Sequence, residues 1–339
     1  MRRLLAILTW GCFGFLLVLL FLLEWKAEVH WMLTVLLFAP PQLFLLPAAF
    51  LALPCAAFRQ WRLLLVNAGA VLIVTLGYMH WRGGSIPPKA AGSLTLITHN
   101  AGQGNRQQFA DFVASQDPDI LLLQDVRNRG QEFERKYPNC NVVERGEFIC
   151  ISKSLIQQSK LLERPNWHGR PVMARFEVLI HGQPTAFYSV HLPTPRDQLS
   201  RLLGPRAALA MFGNEELPGG RATLHEWNAA RIELYRATAD LISQERLRYI
   251  VAGDFNMPDH GMLYHRFAGF LSDSQMHAGS GCGFTFPGGM RSIVALLGPW
   301  LRIDYAFAGR GWQPAACEPE PGLLSQHRAV AARFKAMEK

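Results

Sequence analysis

The feature that most constrains this chain lies at its start: Leu4 to Leu23 is an apolar run with no charged side chain. Its length matches the ~20 residues a helix needs to cross a ~30 Å hydrocarbon core. A cleaved signal peptide is the competing reading, but no small-x-small cleavage site follows before Glu24, and two further apolar runs come after it. A lipoprotein box at Gly11–Cys12 is discounted because it would leave only a stub of a hydrophobic region.

The second run, Trp31 to Phe58, is too short for two spans, and Pro40, Pro41, Pro47 and Pro54 predict a kinked or broken helix there. The third runs from Leu63 to Met79. Three transmembrane helices over 4–23, 31–58 and 63–79 are the simplest count, with Trp25, Trp31, Trp61 and Trp81 at their ends, where aromatic rings meet the water interface. Arg2 and Arg3 precede the first span and Arg59 and Arg62 separate the second from the third, whereas the Glu24 to Glu28 loop holds a single Lys. The positive-inside rule then places the N-terminus in the cytoplasm and the rest of the chain beyond the third span outside it. For a Gram-negative source this means an integral inner-membrane protein with a periplasmic domain, its first partner being the lipid bilayer.

Composition changes at this point. Residues 1–81 carry five Lys/Arg and two Glu, whereas 82–339 carry 29 basic and 24 acidic side chains, a net charge of +5 that suits anionic substrates or acidic headgroups without choosing between them. Residues 82–93, rich in Gly, Ser and Pro, read as a linker, and 94–339 as one large domain. Four of the six cysteines, Cys140, Cys150, Cys282 and Cys317, fall in that domain. If 141–143 and 148–151 form a hairpin, Cys140 and Cys150 are near neighbours, and a disulfide or two buried thiols both remain open. No Cys-x-x-Cys spacing suggests a zinc site.

Within the domain the apolar pattern predicts strands over 94–99, 119–123, 172–180, 185–191, 248–252, 302–308 and 328–334, and helices over 106–116 and 221–245. So many strands with so few helices between them predict an α/β fold built as a two-sheet sandwich, because a doubly wound parallel sheet needs a crossover helix after nearly every strand. Residues 202–220, rich in Gly, Pro and Ala, read as an insertion or loop near the presumed site, and 274–297 as a second variable loop.

Polar residues gather at the ends of these strands: Thr98–His99–Asn100, Gln124–Asp125, His191, Gly253–Asp254–Phe255–Asn256, Arg302–Ile303–Asp304–Tyr305 and Ser325–Gln326–His327–Arg328. Any one of them is an ordinary turn signal, but six in one domain point to a site presented by a rigid scaffold. In this order they resemble the endonuclease/exonuclease/phosphatase superfamily, over about Leu94 to Phe334. The most specific pieces are Gly-Asp-Phe-Asn at 253–256, Arg-Ile-Asp-Tyr at 302–305 and Ser-x-His-Arg at 325–328. A membrane segment before such a domain is similar to a bacterial membrane-anchored branch of the superfamily.

The resemblance implies a DNase-I-like sandwich and divalent-metal-dependent hydrolysis of a phosphoester by water, with Mg²⁺ or Mn²⁺ as cofactor and hard oxygen ligands to hold it. The substrate it implies is a nucleic acid, a phospholipid headgroup or a small phosphorylated molecule. It implies metal contacts from Asn100, Asp125 and Gln326. Asp254 and Asn256 orient the attacking water and a phosphate oxygen, and His191 donates to a phosphate oxygen. His327, fixed by Asp304, stabilises the pentacovalent phosphorus or moves a proton. Arg328 braces its strand. Two departures stand out: Asp125 replaces a usual Glu, and Gln326 replaces a usual metal-associated Asp, which removes a negative charge. The alternative is therefore a catalytically degenerate, membrane-tethered binding or scaffold protein with the same fold. A transporter is disfavoured by the absence of a repeat and of intramembrane charges, Asn67 alone being a helix-packing contact.

Overall fold

The computed structural model describes residues 1–102, 106–195, 199, 224–288, 298–322 and 326–337. Its N-terminal helices are α1 (Arg2–Lys26), α2 (Trp31–Leu37), a 3-10 turn (Pro41–Leu45) leading into α3 (Leu46–Ala57), and α4 (Trp61–Leu72), which continues as a π turn through Ile73–Tyr78. Two stretches, Arg2–Lys26 and Trp61–Tyr78, are long and apolar enough to cross a membrane. The expected span over 31–58 is not one helix. Pro40 and Pro41 lack an amide proton and push the residues before them out of helical geometry, so the run breaks after α2 and leaves a shorter helical stretch, Pro41–Ala57. Leu16, Leu19 and Leu23 of α1 pack against Phe44, Ala48, Ala70 and Val74, while Ile7, Phe15, Val18 and Phe21 remain exposed.

The large domain runs β1 (Leu94–Asn100), α5 (Arg106–Gln116), β2 (Ile120–Gln124), α6 (Gly130–Lys136), β3 (Asn141–Arg145), β4 (Phe148–Ser152), β5 (Ile156–Trp167), β6 (Arg170–Ile180) and β7 (Gln183–His191). It continues through α7 (Leu224–Ser243), β8 (Arg248–Asp254), α8 (Gly261–Ala268), β9 (Ser272–Asp273), α9 (Ser274–Ala278), β10 (Asp304–Ala308), β11 (Trp312–Pro319) and β12 (Val330–Ala336). The strands form two six-stranded sheets, ordered β11-β12-β1-β2-β4-β3 and β5-β6-β7-β8-β10-β9. Each sheet has one parallel pair, β1 with β2 and β7 with β8, and is otherwise antiparallel.

This is the α/β sandwich that the strand pattern predicts, and its layers follow from which face each strand buries. Leu96, Ile120, Leu122 and Phe148 of the first sheet meet Phe176, Phe187, Ile250 and Ala252 of the second. Phe112 of α5 and Phe133 of α6 cover the outer face of the first sheet, and Tyr235 of α7 and Phe267 of α8 cover that of the second. Cys150 points into the inter-sheet core and Cys140 packs on the outer face of the same sheet, so they face apart and both are free thiols. The loop at 202–220 and residues 289–297 of the second variable loop lie outside the described residues, as do Ser325 and the start of the helix expected from 221.

The N-terminal helices are docked on this domain by buried polar contacts. Glu28 accepts from the backbone amides of Met262 (3.0 Å) and Leu263 (3.3 Å) at the start of α8. The Nδ1 of His260 lies 2.8 Å from Glu24, and its Nε2 lies 2.5 Å from the carbonyl of Tyr78, whose ring stacks on it at 4.0 Å. The Nδ1 of His80 lies 3.0 Å from Asp259, and Arg82 pairs through its backbone with Gly281.

Candidate active site

Strand register assembles the site. The parallel pairing of β7 and β8 sets His191 opposite Asp254, and the antiparallel pairing of β8 and β10 sets Asp304 on the other side of Asp254. β1 ends with Asn100 opposite Gln124, and β12 joins β1 from Thr98 backwards, so the residues just before it, including His327, cross the end of β1. Gly253 has φ +145°, and a Cβ there would stand 2.0 Å from the carbonyl oxygen of Val190, so this crossing admits only glycine.

Asp254, 1% exposed, is the centre. Its Oδ1 accepts from the Asn256 amide at 2.9 Å and its Oδ2 from Asn100 Nδ2 at 2.9 Å. The Nε2 atoms of His191 and of His327 each stand 3.8 Å from that same Oδ2. The loop beyond is held by its backbone: Asn256 sits at φ +48°, its Nδ2 donates to Leu192 O (2.9 Å), and Arg231 and Tyr305 donate to the carbonyls of Asn256 and Met257.

Both histidines are backed by a carboxylate. His327 Nδ1 lies 3.0 and 3.1 Å from the two oxygens of Asp304. Burial pulls the imidazolium down, but Asp304 and Asp254 outweigh it and push His327 up to about 9. It therefore carries a proton at neutral pH, with Nε2–H aimed at the centre. His191 Nδ1 lies 2.9 Å from Glu147 and 2.8 Å from Arg170, which itself grips Glu147 through two bonds of 2.9 and 2.6 Å. Arginine only donates, so His191 Nδ1 either accepts from Arg170, leaving the proton on Nε2, or donates to Glu147. Glu147 and Arg170 are the site residues that sequence reasoning missed. Glu147 occupies a Glu-Arg-Gly-Glu turn between β3 and β4, and nothing local distinguishes it from a solvated turn residue.

Burial raises the Glu147 carboxyl, but the hydrogen bonds from His191 and Arg170 outweigh it and hold it at about 2. A depressed acid contributes stability that is complete above its ordinary value near 4.5 and is lost as pH falls from there towards 2. The contribution is roughly 2 kcal/mol after discounting for solvent around Arg170. Glu147→Gln is expected to melt lower at pH 7 and to show a shallower loss of Tm between pH 4.5 and 2.5; melting curves that fall in parallel with the unmodified protein would refute this assignment.

Asn100, Asp125, His191, Asp254, Asn256, Gln326 and His327 all line one cavity of about 460 Å³, with Asp304 just behind His327. Asp125 is exposed at φ +58° with its carboxylate against Gly102, where a Cβ would lie 1.9 Å from Oδ2. His99 is not among the lining residues: it is buried and stacked on Phe109 at 4.4 Å, and burial together with the charge on His327 pushes it down to about 3. Arg328 donates to the carbonyls of Glu320 and Phe284, away from the cavity. Much of the remaining lining is apolar, formed by Phe38, Phe286, Trp300, Leu301 and Ile303; Phe286 packs beside His327, and Phe38 belongs to the N-terminal segment.

The donor set suits a hard cation: Asn100, Asp125 and Gln326 offer only oxygen once the Asn100 amide nitrogen is committed to Asp254. A second cluster, His80, Asp259 and His260, does not suit a metal, because both ring nitrogens of His260 are taken by Glu24 and Tyr78.

The two six-stranded sheets, with their paired histidines around Asp254, form a sandwich of the DNase-I-like class. Residues 97–327 match the Endonuclease/Exonuclease/phosphatase family, and the chain belongs to that family, whose members hydrolyse phosphoesters. No curated protein matches the chain. Among solved structures, it is similar in fold to an endonuclease/exonuclease/phosphatase from Bacteroides vulgatus, with 17% identity, TM-score 0.50, 74% of this chain and 100% of that one covered. It is similar also to D. rerio TDP2 complexed with a single-strand DNA product, with 13% identity, TM-score 0.50 and coverage of 72% and 99%.

Proposed function

We propose that this protein is a membrane-anchored, divalent-metal-dependent phosphoester hydrolase. Residues 1–81 act as the anchor, 82–93 as the linker and 94–339 as the catalytic domain. The N-terminus is cytoplasmic and the domain extracytoplasmic, in the periplasm of a Gram-negative cell. The single observation that carries the catalytic reading is the convergence of Asn100, His191 and His327 on one buried oxygen of Asp254.

In this reading Asp254 takes up a proton as it orients the attacking water, with Asn256 fixing a phosphate oxygen beside it. His327, charged through its pairing with Asp304, presents Nε2–H to the phosphate oxygens, and His191, positioned by Glu147 and Arg170, faces them from a second side. Asn100, Asp125 and Gln326 would hold Mg²⁺ or Mn²⁺, which supplies charge stabilisation to the non-bridging oxygens. A second reading, a tethered binding protein, has Gln326 in its favour, since the metal site lacks that negative charge.

Full-length protein in detergent is expected to hydrolyse bis-p-nitrophenyl phosphate with Mg²⁺ or Mn²⁺ and to stop with EDTA. A folded protein inert under every metal condition, even after Gln326→Asp, would establish the binding reading instead.

A further inference from the structure

The catalytic cavity is built from two halves of the chain, and its apolar half has no part in the chemistry above. Phe38 stands between α2 and the Pro41–Leu45 turn, and its carbonyl accepts from Trp300 Nε1 at 3.3 Å. Trp300, Leu301 and Ile303 form a cluster with Phe38 and Phe286, and this cluster lines the same cavity as Asn100, His191, Asp254 and His327, with Phe286 packed beside the His327 ring at 5.1 Å. From Phe38 the chain enters a helical stretch whose Leu43, Leu46, Phe50 and Leu53 are all exposed. At the ~2 Å rise of a 3-10 turn, the first of these lies roughly 10 Å along the chain from the cavity wall.

We propose that the substrate is a lipid phosphoester: its phosphate meets the Asp254 wall while its hydrocarbon chain leaves along Phe38, Trp300 and Leu301 towards the bilayer around Leu43 and Leu46. This rests on the hydrolase reading and on insertion of the N-terminal helices. Water forms a bond to phosphorus, one phosphorus–oxygen ester bond breaks, and the departing oxygen takes a proton, so that a lipid phosphodiester gives a phosphate monoester and an alcohol with no redox change. A polynucleotide is less well served. Among the described lining residues the one Lys or Arg is Arg170, already gripped by Glu147, and the charge on His327 is held by Asp304 and Asp254, whereas a polyanion needs a track of free cations for its phosphates.

The test uses alkyl p-nitrophenyl phosphates, ethyl against dodecyl, with full-length protein in detergent micelles and a single-stranded oligodeoxynucleotide as the rival substrate. The dodecyl ester is expected to exceed the ethyl ester in kcat/KM by about tenfold or more, the effect of holding roughly two methylenes against the wall. That ratio falls to about one in Phe38→Asp and survives in Phe38→Leu, whose thermal melt reports on folding alongside. A flat chain-length profile overturns the proposal while leaving the hydrolase reading intact. So does a ratio that Phe38→Asp does not change, or preferred cleavage of the oligonucleotide. No turnover of even the ethyl ester removes the hydrolase reading, and this inference with it.

Discussion

Asp254→Asn is expected to lower kcat/KM for bis-p-nitrophenyl phosphate about a thousandfold, roughly 4 kcal/mol of transition-state stabilisation, and to lower the melting temperature, because one buried hydrogen bond is lost. Both oxygens of the native carboxylate are acceptors, Oδ1 to the Asn256 amide and Oδ2 to Asn100 Nδ2. An amide in its place can satisfy only one of them: its NH₂ must face either Asn100 or the Asn256 backbone, donor against donor. Its loss also removes the negative charge that His191 and His327 face at 3.8 Å and the group that would take the proton of the attacking water. The volume is unchanged, so packing around Phe255 is preserved, and retention of activity within tenfold would take Asp254 out of the chemistry.

The second large effect concerns folding. Arg302→Leu is expected to destabilise the domain by about 3–5 kcal/mol, read as a fall in the denaturation midpoint. Arg302 is 2% exposed; its Nε lies 3.2 Å from Asp259 and its Nη1 2.7 Å from Asp273, both buried, and its guanidinium rests 4.7 Å from the Tyr305 ring centroid. Burial raises the Asp259 carboxyl, but Arg302, with His260 and His80, holds it far below the carboxylate range. Without the guanidinium two buried acids confront each other near the Tyr264 hydroxyl, which also donates to Asp273. Arg302→Leu combined with Asp273→Asn should recover part of the loss, the signature of a coupled pair. Equal midpoints for the single and double variants would show that Arg302 acts by packing alone.

Much of the sandwich was legible because its central strands are buried on both faces: β1, β2, β8 and β10 read as short continuous apolar runs. The sequence reading passed over β5 and β11, and both are sheet edges. β5 alternates half-buried and exposed positions through Gln, Lys and Glu, and β11 carries Pro314 at a bulge, where an edge tolerates a missing amide. The polar residues of the site were visible for a related reason: Asn100, Asp254 and Asp304 sit where apolar strands begin or end. Glu147 and Arg170 were not visible, because their meeting with His191 comes from tertiary pairing across the sandwich. Phe38 was hidden more deeply, as one apolar residue in a run where every neighbour is apolar. The proline content of 31–58 announced a break, and the structure shows why the break matters: it turns Phe38 towards Trp300 instead of continuing the helix.

The loop that carries Asp254 and Asn256 reaches the N-terminal helices within six residues of Asp254, through Asp259 to His80 and through His260 to Glu24 and Tyr78. The two halves are therefore not interchangeable modules. The large domain grafted onto a foreign hydrophobic helix would leave His260 and the first amides of α8 without their partners and the cavity without Phe38. Exchange between homologues should succeed only when Glu24, Glu28, Phe38 and Tyr78 travel together with residues 259–263 and Trp300.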